Sequence, residues 1–356
     1  MDNFLSNKEI LQALKMISPG TQLRQGLDNV LKAKTGGLIV IATNEEIMDV
    51  VDGGFAINAE YSPAYVYELA KMDGAIVISG DTKKILYANA QLIPDYSIPT
   101  SETGTRHRTA ERVAKQTGAI VIAISQRRNI ITVYQGEYKY VVEEISKIFT
   151  KANQAIQTLE KYKAVLDQAV ISLNALEFKD LVTIYDVALV IQKMEMVMRI
   201  TNIIENYVIE LGVEGNLVSM QLEELMGTAR IDQKLIFKDY KREDLGITDF
   251  NKKMRSLSDE ELIDLANMAR ILGYSGFSES MDMAIRPRGY RILNKIHRLP
   301  ATIIENLVNY FDNFQEIVRA SIEELDEVEG IGEIRATYIK NGLIKMQQLV
   351  LLDRHI

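Results

Sequence analysis

Between Val141 and Phe178 the chain contains neither glycine nor proline. Apolar or small residues fall there at Ile145, Ile148, Ala152, Ala155, Leu159, Tyr162, Leu166, Ala169, Leu173 and Leu176, in steps of alternately three and four. A strand repeats every second residue; only a helix brings steps of three and four back to one face. The spacing therefore predicts one long helix with a narrow apolar stripe, dividing the chain into an earlier and a later part. Tyr185 to Leu211 continues the helical pattern, with Met194, Met196 and Met198 read as pliable core filler. Gly212 and Gly215 mark a break. Leu217–Met226 and Asp259–Leu272 each predict a helix, and Arg230–Leu257 reads as a mixed, charged stretch. The middle of the chain, residues 141–286, is expected to be an all-α spacer.

Ahead of it, helical stretches alternate with short apolar runs. Glu9–Ile17 and Leu23–Ala33 predict helices, stopped by Pro19-Gly20 and by Thr35-Gly36-Gly37. Leu38–Ala42 is continuously apolar, the mark of a strand buried on both faces. Ser62 and Pro63 suit the cap and first turn of a helix running to about Met72. Ala75–Ser79, Ile85–Ala88, Ala119–Ser125 and Asn129–Tyr134 predict further strands. This alternation indicates an α/β domain over residues 1–140.

Two motifs in that domain carry chemistry. The first is Asp73-Gly74-Ala75, at a strand entrance, where a carboxylate can hold a divalent cation and Gly74 admits a ligand close to the backbone. Alone it equally fits an ordinary turn. The second is Ser101-Glu102-Thr103-Gly104-Thr105-Arg106-His107-Arg108-Thr109-Ala110. With Thr105 as N-cap and Gly118 as terminator, Arg106, His107 and Arg108 occupy a first helical turn. Cations sit badly at that end of a helix dipole unless an anion lies among them. Free amides, the Thr105 and Thr109 hydroxyls and two guanidinium forks would make a phosphate cradle; the alternative is a solvated basic turn offset by Glu111. Together the motifs look like a metal-assisted nucleotide site.

Composition removes other classes. There is no cysteine, which excludes disulfides and thiolate metal sites and fits a reducing cytosol. Three histidines, His107, His297 and His355, make a zinc site a poor fit. No phosphate loop of the Gly-x-x-x-x-Gly-Lys type occurs, and no dinucleotide fingerprint. Met1–Ile10 lacks the pattern of a signal peptide, and no apolar window suits a membrane span. A net charge of -8 confines any nucleic-acid contact to a local surface.

The tail, residues 287–356, supplies that surface. Tyr290–Arg298, Pro300–Phe311 and Phe314–Ala320 predict short helices, and Ser321-Ile322-Glu323-Glu324 fits a capping box. Val328-Glu329-Gly330-Ile331-Gly332-Glu333-Ile334-Arg335-Ala336 then has the glycine turn of a helix-hairpin-helix module. Its backbone amides at Gly330, Ile331 and Gly332 would meet a DNA phosphate, with Arg335 nearby. A plain helical hairpin is the alternative. Ile296-His297-Arg298-Leu299-Pro300 looks like a degenerate first hairpin, with Pro300 in place of the glycine.

On Tyr67–Ala75, Glu102–Arg112, Pro287–Arg291 and Val328–Glu333, nearly the whole chain resembles the bacterial DNA-integrity-scanning diadenylate cyclases. That resemblance implies a mixed sheet flanked by helices, then a helical spine, then a helix-hairpin-helix DNA-binding domain. It implies condensation of two ATP into cyclic di-AMP and two pyrophosphates with Mg²⁺ or Mn²⁺, in octamers whose cyclase domains meet face to face, suppressed by branched DNA. It assigns catalysis to Asp73 (as metal ligand), Arg106, His107 and Arg108, and nucleotide contacts to Gly74, Leu92, Thr105 and Thr109 as well. It also implies a cytoplasmic protein, nucleoid-associated when DNA-bound. A DNA-binding scaffold that only senses nucleotide is the rival reading; a ligand-free helical adaptor fits neither glycine-centred motif.

Overall fold

The computed structural model describes residues 8–42, 45–242, 245–274 and 278–352. His355 and most of the Met1–Ile10 stretch lie outside the described residues. The chain divides into two compact units, residues 1–155 with 203–221, and residues 156–202 with 222–356.

The first unit opens with helices α1 (Lys8–Met16) and α2 (Gln22–Lys32), then strand β1 (Gly37–Ala42) and a 3-10 turn at Glu45–Val50. Strands β2 (Val51–Asp52) and β3 (Phe55–Glu60), helix α3 (Pro63–Leu69), β4 (Ala75–Ser79) and β5 (Lys84–Leu92) come next. Helix α4 (Thr105–Thr117) leads into β6 (Ile120–Ser125), β7 (Ile130–Gln135) and β8 (Tyr138–Val141). The eight strands form one mixed sheet in the order β2-β5-β4-β1-β6-β7-β8, with β3 also on β5. Among the described residues only β1 and β4 pair in parallel; β1 pairs β6 antiparallel.

The continuous apolar run of β1 has its reason here. Ile39 and Ile41 enter a core shared with Leu14, Leu27 and Val66 of α1, α2 and α3, while Val40 enters the opposite core with Ala110 and Val113 of α4. Each face is covered by helices, so neither parity of residue can be polar. The strands missed from sequence are those without such a run. In β3 and β8 residues alternate between exposed and partly buried, with no fully buried position.

Helix α5 (Ile145–Lys179) confirms the long helix but starts later than expected, because Val141 still belongs to β8. Its stripe is buried at Ile148, Ala152, Leu159, Leu166 and Leu173; Tyr162 is exposed, and Ile156 is buried instead. Helix α6 (Ile184–Leu211) comes after it, and a 3-10 turn over Gly212–Gly215 joins α6 to α7 (Asn216–Met226). Gly212 has φ +53, and a Cβ there would lie 2.2 Å from the Pro19 carbonyl oxygen, whose acceptance from Val213 N (3.1 Å) fastens the turn within the first unit.

The second unit adds α8 (Ala229–Tyr240), α9 (Ile247–Ser256), α10 (Asp259–Ile263), α11 (Leu265–Ile271) and α12 (Ser278–Met281). The stretch Arg230–Leu257, read as mixed, thus forms two helices. The single helix expected over Asp259–Leu272 is two: Asp264 takes an extended conformation (φ -78, ψ 109) and caps the Ala266 amide. The tail forms α13 (Tyr290–Asn294), α14 (Ala301–Tyr310), α15 (Phe314–Arg319), α16 (Ile322–Asp326) and α17 (Glu333–Leu352), around a core that includes Leu293, Leu307, Phe314 and Ala336. The capping box at Ser321 and Glu324 is present in both directions.

Candidate active site

The sheet register brings the two motifs to one end of the first unit. Ile39 pairs with Ile76, so two residues earlier Gly37 stands level with Gly74. Gly37 in turn pairs with Ile124. Two strand spacings, about 10 Å, therefore separate the Asp73-Gly74 loop from the end of β6. The entrance of α4 is held at the same place. Arg106 Nη1 donates to the Ile124 carbonyl (3.4 Å), and a Cβ on Gly36 would lie 2.6 Å from that nitrogen.

Gly74 is required by the packing of β4 against β5. A Cβ there would lie 2.4 Å from the Asn89 carbonyl carbon. Asn89 adopts φ 54 at an irregularity of β5, and its Oδ1 accepts from Gly74 N at 3.1 Å. The partner strand fills the space a side chain would need. Gly74→Ala is expected to spread β4 from β5 and to cost about 1–3 kcal/mol, the usual toll of overpacking, read as a lower denaturant midpoint.

Asp73 is exposed on the turn before β4. Among the described residues no three carboxylates or histidines gather into a metal cage. One free carboxylate still fits Mg²⁺ or Mn²⁺, since Mg²⁺ is commonly held by one or two carboxylates together with substrate phosphates.

Helix α4 begins one residue earlier than the cap reading required. Gly104 (φ -82, ψ 140) is the N-cap, Thr105 is already helical, and no side chain caps the end. Arg108 N bonds to the Gly104 carbonyl at 2.9 Å. The amides of Thr105, Arg106 and His107 are left without intrahelical partners, as in any first turn. Thr105 and Arg108 are exposed; Arg106, His107 and Thr109 are half-buried. Leu92 is 6% exposed and packs in the core beneath α4. Glu111 does not offset the basic turn. It accepts from Thr100 Oγ1 and from Ser101 N (3.1 Å), and pairs with Lys115 at 3.2 Å, which pins the loop leading into the helix.

Behind His107 stand Glu102, quoted in the motif without a role, and Tyr134 and Lys139, which the sequence reading did not place at the site. His107 Nδ1 lies 2.9 Å from Tyr134 Oη, and that hydroxyl donates to Glu102 Oε1 at 2.8 Å. Lys139 forms an ion pair with the same carboxylate. Burial alone would raise Glu102, but the hydrogen bonds from Lys139 and Tyr134 outweigh it and hold the carboxyl below its usual range. Burial lowers His107; Glu102 opposes this, while Arg128, Arg106 and Lys139 reinforce it. Tyr134 is 1% exposed in strand β7. A buried tyrosine needs a partner for its hydroxyl, and that was the available signal.

In the second unit the tail contains two turns of the same construction. Val328 N bonds to Leu325 O, Ile331 N to Val328 O, and Arg335 N and Ala336 N to Gly332 O. At a constant offset, Ile296 N bonds to Leu293 O, Leu299 N to Ile296 O, and Ile303 N and Ile304 N to Pro300 O. Arg298 (φ 60) takes the left-handed position that Gly330 (φ 81) takes in the second turn. The first hairpin is therefore as regular as the second, because Pro300 can supply the helix-opening carbonyl as well as Gly332 can. Ile331 is buried in the core, and Arg335 bonds its own turn at the Gly330 carbonyl. Gly332 faces open space: the nearest atom to a Cβ there is Asp326 Oδ1 at 4.0 Å.

Comparison with known proteins finds two family profiles along the chain. Residues 24–138 match the family profile described as DisA bacterial checkpoint controller nucleotide-binding, and residues 142–281 match the DisA bacterial checkpoint controller linker region. The chain is 82% identical, over 100% of both chains, to the DNA integrity scanning protein DisA of Clostridioides difficile (strain 630). It is 58% identical to the protein of that name from Clostridium botulinum (strain Langeland), over 98% of each chain. It is likewise 58% identical to the one from Clostridium perfringens (strain 13), again over 98% of each.

Proposed function

The chain belongs to the DisA family and is a diadenylate cyclase; from that premise we propose that two copies, each holding one ATP, make cyclic di-AMP under the control of DNA. The proposed division is a cyclase domain over 1–140, a helical spine over 141–286 and a helix-hairpin-helix domain over 287–356. The observation that most supports the site is the register: the Gly74 loop, the Gly36 turn and the entrance of α4 share one end of the sheet.

Each 3′-hydroxyl must attack the other nucleotide's α-phosphate in line. One cradle per chain binds one ATP, so the working unit is at least a symmetric pair facing each other; an octamer with cyclase domains face to face extends that pairing. Holding both reactants in register is worth roughly 7–11 kcal/mol in the best intramolecular models. Asp73 would hold Mg²⁺ or Mn²⁺, whose charge eases removal of the hydroxyl proton. Arg106, Arg108 and the free amides of α4 bind phosphate oxygens and offset charge on the departing pyrophosphate. Gly74, Thr105 and Thr109 line the nucleotide, and Leu92 backs it from the core.

For the tail, two hairpins of one construction support DNA binding through backbone amides. Such contacts read shape and phosphate spacing, which suits branched DNA. Gly332→Leu projects a side chain into open space at the amides. It is expected to weaken binding of a four-way junction about tenfold or more, as loss of a charge-assisted contact would, with the thermal melt in place. Equal affinity of the two proteins, by anisotropy, would remove the hairpin from the interface. Among the described residues no helix is long and apolar enough to cross a membrane, and the proposed location is the cytoplasm, on the nucleoid when DNA is bound. The decisive test is product analysis after incubation with ATP and Mn²⁺, with and without a four-way junction. Cyclic di-AMP that falls when the junction is added is the expected result. ATP binding with no pyrophosphate release would favour a nucleotide-sensing scaffold.

A further inference from the structure

Behind the basic turn lies a chain of three polar groups, and its protons can be assigned. Tyr134 Oη donates to Glu102 Oε1. An ionised carboxylate can only accept, and a phenol has one proton to give. The Glu102 carboxyl is held below its usual range by Lys139 and Tyr134 against the effect of burial, so it is ionised at neutral pH. Burial, with Glu102 adding to it, pushes the Tyr134 phenol far up and keeps it protonated. With its proton committed to Glu102, the phenol oxygen can only accept at its contact with His107 Nδ1 (2.9 Å). His107 therefore carries its proton on Nδ1.

The far side of the ring is then a bare lone pair. Among the described residues, His107 Nε2 is buried and has no hydrogen-bond partner. An empty buried acceptor is costly, and most are filled. We propose that Glu102 and Tyr134 are positioning residues that hold His107 as its Nδ1–H tautomer, so that Nε2 takes up a proton and becomes a phosphate donor only when a triphosphate arrives. The proposal rests on the cyclase reading and adds a proton to its binding step.

The surrounding charges fit this order of events. Without ligand, the ring faces Arg106 on α4, Arg128 at the β6–β7 turn and Lys139 on β8, with Glu102 opposing them. Burial and those cations keep it neutral. A triphosphate among the same cations brings several negative charges, and opposite charge within a few ångströms favours the protonated form. Tyr134 and Glu102 then stabilise the imidazolium through Nδ1–H, much as a buried carboxylate does in a catalytic triad. The balance is simple: one proton passes from solvent to Nε2, no covalent bond changes, and the proton is released when the charged ligand departs. A cradle built this way avoids keeping a third permanent cation beside two arginines in the empty site.

The test uses the full chain and a non-reacting α,β-methylene analogue of ATP. ¹⁵N spectra of histidine-labelled protein report the tautomer without ligand. Calorimetry in two buffers of different ionisation enthalpy, near pH 7.5, reports proton uptake. The wild type is expected to show the Nδ1–H tautomer and to take up about one proton per analogue bound. Tyr134→Phe keeps the buried ring but removes the acceptor. It is expected to lose most of that uptake and to bind about tenfold more weakly, with its melt close to wild type. Should it fail to fold, Glu102→Gln carries the same comparison. An Nε2–H tautomer in the wild type, analogue binding without proton uptake, or wild-type uptake in the variant that folds would each overturn the proposal. Wild-type protein that makes cyclic di-AMP from ATP yet takes up no proton removes the relay and leaves the cyclase reading standing; protein that binds no analogue at all removes both.

Discussion

Asp73→Asn is expected to lower cyclic di-AMP synthesis about 10³-fold or more while leaving the fold and its melting temperature nearly unchanged. The side chain is exposed on the turn before β4 and takes no part in the cores of the first unit. Substitutions at such positions usually move stability by less than about 0.5 kcal/mol. Its chemistry is another matter. Among the described residues no other acidic or histidine cluster could hold the cation in its place. An amide keeps the shape but gives up the charge that a hard divalent cation requires. Loss of the proposed metal would remove several kcal/mol of transition-state stabilisation, hence the expected factor. The measurement is chromatographic yield of cyclic di-AMP against Mn²⁺ concentration, beside a thermal melt. A variant that retains activity at ordinary Mn²⁺ would take the metal away from Asp73, and the site would then need a different carboxylate.

The features legible in the sequence were those that a local rule enforces. The glycine- and proline-free run could only be a helix, and α5 is one. Leu38–Ala42 had to be covered on both faces, and it is the strand between two cores. Where a second element decides, the sequence was mute. Nothing near Gly74 announces that Asn89, fifteen residues on in a bulged strand, occupies the space a Cβ would need. Thr105 looked like a cap by type, yet the loop pinned by Glu111 carries the helix start back to Gly104. Tyr134 and Glu102 are far apart in sequence, and only the fold brings both to His107. Edge strands β3 and β8 lack the apolar run that made the central strands visible. Pro300 made the first hairpin read as degenerate, although the repeated feature is a carbonyl and a left-handed turn rather than a pattern of residue types.

The tail motif Pro287–Arg291 gives the largest expected loss of stability, at a fully buried residue. Arg291 and Glu177 form an ion pair in which both side chains are 0% exposed. Asn174 accepts from Arg291 Nη1 at 2.6 Å, Tyr240 Oη donates to Glu177 Oε1 at 2.5 Å, and Gln315 donates to the Glu177 carbonyl. Asp239 accepts from the amides of Gly289, Tyr290 and Arg291. The network centred on the Arg291–Glu177 pair thus joins α5, α8, α13 and α15 inside the second unit. Arg291→Met keeps the volume and strands the carboxylate, a change that costs about 3–5 kcal/mol in comparable buried pairs. The loss should itself depend on pH, and its sign comes from Asp239. Burial pushes Asp239 up to about 7, with Glu177 adding to the rise and Arg291 restraining it. Removing Arg291 lifts it further. A carboxyl raised in the folded state contributes stability that is fully present below its unfolded value, about 3.9, and lost as pH rises through its folded value. The deficit of the variant against wild type should therefore be smaller at pH 5 and widen toward pH 8, measured as the difference in denaturant midpoints. A deficit that is constant or narrows over that range would mean that the cation does not govern the buried acids. A loss below about 1 kcal/mol would mean that water reaches them.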